Sequence, residues 1–126
     1  MAGFFVNIEK ATEENSNFRQ VLFTGKYSQL VVMSLKAGEE IGTEVHESVD
    51  QFFRMEEGEA KVVADGEEKM VYEGDAFIIP AGTQHNVTNT GKSDLKLYTI
   101  YSPANHPDGT VHKTKAEAEE YEKSHH

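Results

Sequence analysis

Short β-prone runs, each ended by turn chemistry, succeed one another from Val21 to Tyr101. This rhythm predicts an all-β sandwich or barrel. The clearest turn is Asp65-Gly66, between Glu59–Ala64 and Glu67–Tyr72. A two-residue hairpin of this kind needs positive φ, which Asp and Gly tolerate. Further strands are predicted at Val21–Thr24 and Leu30–Leu35, on either side of Gly25, and at Asp50–Met55. Asp75–Ile79 runs into Pro80 and stops, and His85–Asn89 and Leu95–Tyr101 flank Thr90-Gly91. Phe4–Ile8 reads as a first short strand and Thr12–Asn17 as a polar turn with one helical turn. Strands joined by tight turns pair antiparallel, and roughly nine of them in one small domain must close or sandwich to protect their edges.

The character changes after Tyr101. Ser102–Gly109 is a turn-rich crossing that holds two of the three prolines. Thr114-Lys115-Ala116-Glu117 is a capping box, so a short charged helix is predicted from Lys115 to about Lys123. It is polar nearly all round and belongs on the surface. Residues 1–126 fit a single domain, because 37% hydrophobic residues supply one modest core and not two.

Several classes are excluded. No apolar run reaches the roughly 18 residues of a membrane span. MAGFFVNIEK lacks the basic and apolar regions of a signal peptide, so none is expected. With no cysteine, the chain has no disulfide scaffold, Cys-ligated zinc, iron–sulfur cluster or thiol nucleophile. A cytoplasmic location is the default. The net charge of −10 is concentrated in residues 39–75, which hold 13 acids against 3 bases. An acidic middle repels phosphate backbones, so neither nucleic acid nor an anionic membrane surface is an expected partner.

Two glycine-punctuated segments carry the chemistry. The first runs from Gly38 through Glu44, His46 and Gln51 to Gly58. The second runs from Gly74 through Pro80, Gly82 and His85 to Asn89. Glu44 and His46 are two apart, so on a strand they share a face. Gln51, Phe53 and Met55 share a face too, polar at one end and apolar beyond, as a lining that starts at a site and deepens into a core. Gly82 turns the chain so that His85 opens a strand.

These segments resemble the two motifs of the cupin superfamily, commonly written G(X)5HXH(X)3,4E(X)6G and G(X)5PXG(X)2H(X)3N. The second motif (74–89) matches at every fixed position. The first (38–58) matches in spacing, but Glu44 replaces the first His and Gln51 replaces the Glu. The resemblance implies the cupin double-stranded β-helix, a jelly-roll barrel, here with a short C-terminal helix in the 102–126 tail. It implies that Glu44, His46, Gln51 and His85 converge on one divalent transition metal. Two imidazoles, a carboxylate and an amide oxygen suit zinc, iron(II), manganese or nickel and leave positions open for a small-molecule ligand. Gln51 either ligates directly or hydrogen-bonds a metal-bound water. Asn89 closes a turn. A homodimer is implied by the same resemblance.

Two reaction classes fit. One is isomerisation of a sugar or polyol, since the ligand set is similar in kind to that of the cupin-type phosphomannose isomerases, although its order differs. The acidic segment and the outward parity of Arg54 argue against a phosphorylated substrate. The other is dioxygenase chemistry at iron(II). Glu44, if not coordinated, is the candidate catalytic base. The alternative function is a non-catalytic barrel that binds a metal or small ligand. His106 and His112 are expected at the surface unless the tail wraps the barrel mouth. His125 and His126 can bind metal adventitiously. Tyr72, Phe53 and Met55 are expected in the core, and only one of Tyr98 and Tyr101 can face inward.

Overall fold

Asn7 decides the first element. Its side chain accepts a hydrogen bond from the Lys10 amide at 3.1 Å, which caps helix α1, Ile8–Glu14. The expected strand at Phe4–Ile8 therefore does not form. Phe4 instead stacks on Phe23, with ring centroids 5.2 Å apart. The computed structural model describes residues 3–124, so His125 and His126 lie outside the described residues.

The strands are β1 (Arg19–Thr24), β2 (Gln29–Leu35), β3 (Asp50–Glu57), β4 (Glu59–Ala64), β5 (Glu67–Tyr72), β6 (Ala76–Ile79), β7 (His85–Asn89), β8 (Leu95–Ser102) and β9 (Val111–His112). They form two antiparallel sheets, β6-β3-β8-β2-β1-β9 and β5-β4-β7, which make a jelly roll. The Asp65-Gly66 hairpin has the predicted backbone, with φ of 48° and 83°. Gly58 also turns with positive φ, and a Cβ there would come within 3.2 Å of the Asp94 carbonyl oxygen.

Register builds the interior in rows. Gln29, Tyr101, Gln51 and Ile79 lie side by side across β2, β8, β3 and β6. The next rows are Val31, Thr99, Phe53 and Phe77, then Met33, Leu97 and Met55. Ala60, Val62, Val71 and Val87 meet them from the smaller sheet. The rows thus grade from polar to apolar, as the Gln51-Phe53-Met55 alternation predicts. Tyr101 faces inward and Tyr98 does not. Tyr72 is not in the core. It is 51% exposed at the end of edge strand β5, where the inward position belongs to Val71.

Helix α2, Lys115–Ser124, starts at the predicted box. The Glu117 amide donates to Thr114 Oγ1 at 3.1 Å, and the Lys113 amide donates to Glu117 Oε1 at 3.3 Å. Its only buried residue is Ala118. No helix among the described residues is long and apolar enough to cross a membrane.

Candidate metal centre

The segment between β2 and β3 lies along β7 as a broken fourth strand of the smaller sheet. Gly38 donates to the Asn89 carbonyl at 3.0 Å and Ile41 to the Val87 carbonyl at 2.9 Å. Glu44 and His85 exchange both backbone hydrogen bonds at 2.9 Å. That exchange sets the two residues opposite each other, where cross-strand side chains meet. His46 is two residues further along, and its carbonyl accepts from the Gly82 amide at 2.9 Å. The two motifs are therefore tied together by backbone on both sides of the site.

One ligand atom from each of Glu44, His46 and His85 lies within 4.8 Å of the others. Glu44 Oε1 is 3.6 Å from His46 Nε2. His85 Nδ1 is 2.9 Å from the Thr83 carbonyl. A carbonyl only accepts, so Nδ1 carries the proton and Nε2 keeps its lone pair. Gln51 opens the inward face of β3, and its Nε2 donates to Thr99 Oγ1 at 3.0 Å. His46 Nε2, His85 Nε2 and Gln51 Oε1 are buried and have no hydrogen-bond partner. Buried polar atoms are rarely left so, and each such atom calls for an explanation. A divalent cation bound by two imidazole nitrogens and two oxygens would satisfy all three, so the residues fit the implied metal. Asn89 is structural. Its amide donates to the Leu35 and Ser93 carbonyls and its oxygen accepts from Gly91, each at 2.9 Å.

Of the residues beside the cluster, Arg19 escapes the sequence reading, while Tyr101 and His106 figure in it without a role at the site. Arg19, on β1, is 2% exposed. Its parity with Val21 is the signal that would have found it. Tyr101 packs its ring edge against His46 at 5.8 Å and against His106 at 5.1 Å. His106 Nε2 is 3.2 Å from the Tyr101 hydroxyl. The surface expectation for His106 and His112 is thus corrected. His112 is buried against Arg19 and Tyr121, and His106 is half-buried over the site. The tail does wrap the mouth. Gln29 holds it there, accepting from the Asn105 and His106 amides at 3.0 Å and donating to the His106 carbonyl at 2.8 Å.

Electrostatics follow from this packing. Burial pushes Glu44 up, but contact with His46, whose Nε2 lies 3.6 Å away, and the Arg19 charge outweigh it, so its carboxyl stays below the usual range. Burial lifts the Tyr101 phenol well above its ordinary value. Burial, then the Arg19 charge, drops His106 to about 3. His112 is lowered by the same two causes.

The cupin-domain family model matches residues 31–101, more than half of the chain. The chain belongs to the cupin family. This cupin is 52% identical over 122 residues to the uncharacterized protein YrkC of Bacillus subtilis, covering 91% of itself and 65% of YrkC. It therefore spans less than two thirds of that relative's length. The crystal structure of BH2720 from Bacillus halodurans superposes with a TM-score of 0.91 at 48% identity, covering 93% of each chain. Mannose-1-phosphate guanylyltransferase of Escherichia coli is 31% identical over 78 residues, which are 62% of this cupin and 16% of the transferase.

Proposed function

We propose that this cupin holds one divalent transition metal on Glu44, His46, Gln51 and His85 and acts with it on a small molecule. The carrying observation is that ligand atoms of Glu44, His46 and His85 lie within 4.8 Å of one another, with His46 Nε2, His85 Nε2 and Gln51 Oε1 buried and without hydrogen-bond partners. When bound, the metal supplies Lewis-acid polarisation of a ligand oxygen. The protein does the rest. The Thr83 carbonyl and Thr99 Oγ1 orient His85 and Gln51, and the buried Tyr101 phenol stays protonated. Glu44 also lines the cavity outside the cluster, so, if it is not a ligand, it is the group placed to take a proton from a molecule held there.

The test is elemental analysis of protein purified without a metal column and lacking residues 125–126, beside a Glu44→Ala, His46→Ala double variant. About one equivalent of metal in the former and none in the latter is expected. No metal in either, even after reconstitution with iron, manganese, nickel and zinc, overturns the reading. Iron would direct the assignment to dioxygenase-like chemistry. Zinc or manganese would direct it to isomerisation of a sugar or polyol.

A second reading is a non-catalytic binding barrel. It is favoured by His106 and Tyr101, whose pKa values are both driven away from neutrality, so neither is poised for proton transfer. Turnover of no sugar, polyol or oxygen-dependent substrate by metal-loaded protein would select it. We further read residues 1–126 as one cytoplasmic cupin unit that pairs as a homodimer. The outward row Leu30, Ile100, Phe52 and Ile78 supports pairing, Ile78 being 63% exposed. Sedimentation of the purified chain tests it.

A further inference from the structure

A cavity of about 260 Å³ opens beside the cluster, lined among others by Arg19, Glu44, Asn105, His106, His112 and Tyr121. Arg19 is the anomaly in it. A guanidinium buried this deeply is normally matched by a carboxylate, because an unpaired buried charge costs several kcal/mol. Among the described residues Arg19 forms no ion pair within 4.0 Å. Its Nε has no hydrogen-bond partner. Its other neighbours are neutral or aromatic: it hydrogen-bonds the Tyr101 phenol, His112 Nδ1 is at 3.5 Å and the Phe18 ring centroid at 5.3 Å. Glu44 feels its charge from further away, and that carboxylate is the one the metal reading commits elsewhere.

We propose that Arg19 anchors the carboxylate of a small organic acid whose other end reaches the Glu44–His46–His85 cluster. The proposal deepens the metal reading by naming the substrate class, and it rests on that reading for the second half of the ligand only. The guanidinium fork matches a carboxylate in geometry as well as charge. The neighbouring side chains fit polar substituents, since Asn105 and His106 are uncharged polar groups in the same lining. A phosphate dianion fits worse. Glu44 and Glu122 line the same cavity, and Arg19 is the only permanent positive charge among its described lining residues. Arg19 does supply a buried cation of the kind that binding an anion needs, but in a number that balances one negative charge.

The probes are glycolate, its uncharged isostere glycolamide, and inorganic phosphate, titrated calorimetrically into zinc-loaded and EDTA-stripped protein. Glycolate is expected to bind zinc-loaded wild type at least about tenfold more tightly than glycolamide, as an ionic partner to a buried cation should. Arg19→Met should abolish that preference with zinc stoichiometry unchanged, and Arg19→Lys should retain part of it. Equal binding of glycolate and glycolamide by wild type, or binding of neither, overturns the proposal without any variant. Tighter binding of phosphate than glycolate overturns the carboxylate assignment. The stripped protein separates the two readings. If zinc does not bind but an Arg19-dependent glycolate preference remains, the metal reading fails and the anion site stands. If zinc binds and no preference exists, the reverse holds.

Discussion

Gln51 Nε2 donates to Thr99 Oγ1 at 3.0 Å across the β3–β8 pair, and this bond leaves Oε1, buried and without a partner, on the free side of the amide. An amide presenting its NH2 there would repel a cation, and one presenting Oε1 can ligate it. Both partners are buried, so neither is replaced by water.

Thr99→Val keeps the shape and removes the acceptor. The stranded Gln51 NH2 should cost about 1–3 kcal/mol. Thermal unfolding should show a midpoint several degrees lower. Metal affinity should fall about tenfold as the amide loses its fixed orientation. Wild-type metal affinity in Thr99→Val would show that Gln51 is not a ligand.

His85 carries the sharpest metal prediction, because its Nδ1 is already committed to the Thr83 carbonyl at 2.9 Å. Adding metal at about a hundred times its dissociation constant should stabilise wild type by roughly 2.7 kcal/mol. His85→Ala should unfold at the same temperature with and without metal. A retained metal-dependent shift in His85→Ala would move the centre away from the three clustered side chains.

Much of this site was legible because its spacing is local. Glu44 and His85 are placed by Gly74, Pro80, Gly82 and Gly38, residue types whose backbone preferences can be read one at a time. The strands followed from the same punctuation. The N-terminus misled because Phe4, Phe5 and Val6 look β-prone, while Asn7 acts as a cap only when the next residues turn into a helix. Arg19 was hidden, and the sequence leaves the choice between surface and barrel mouth for His106 and His112 open, for a different reason. Gln29 holds Asn105 from 76 residues away, and nothing near either residue announces that contact. The cluster was therefore readable, and the cavity that feeds it was not.

Gln29 should then be the residue that keeps the cavity closed. It is fully buried and bonds Thr24 Oγ1, the His106 carbonyl and the Asn105 and His106 amides. Gln29→Met fills the same volume with none of these bonds. A loss of about 2 kcal/mol is expected, together with protease cleavage within residues 102–109, which wild type resists. Unchanged cleavage would mean that the loop is held by Tyr101 and His106 instead.

His106 gives the pH prediction. Its folded pKa, about 3, lies below the ordinary histidine value of 6.5, so the unfolded chain binds the extra proton first. Stability from this residue is complete above about pH 6.5 and is lost as pH falls toward 3. Between pH 7 and pH 4 the loss should be at most about 3 kcal/mol, and less because the ring is only half-buried. His106→Gln removes the proton site and keeps a polar group facing the Tyr101 hydroxyl. In EDTA-stripped protein, where proton competition with metal is absent, urea unfolding of the variant should lose less stability than wild type over that range. Parallel pH curves for the two proteins would mean that the ring is solvated, and that the tail does not seal the mouth of the barrel.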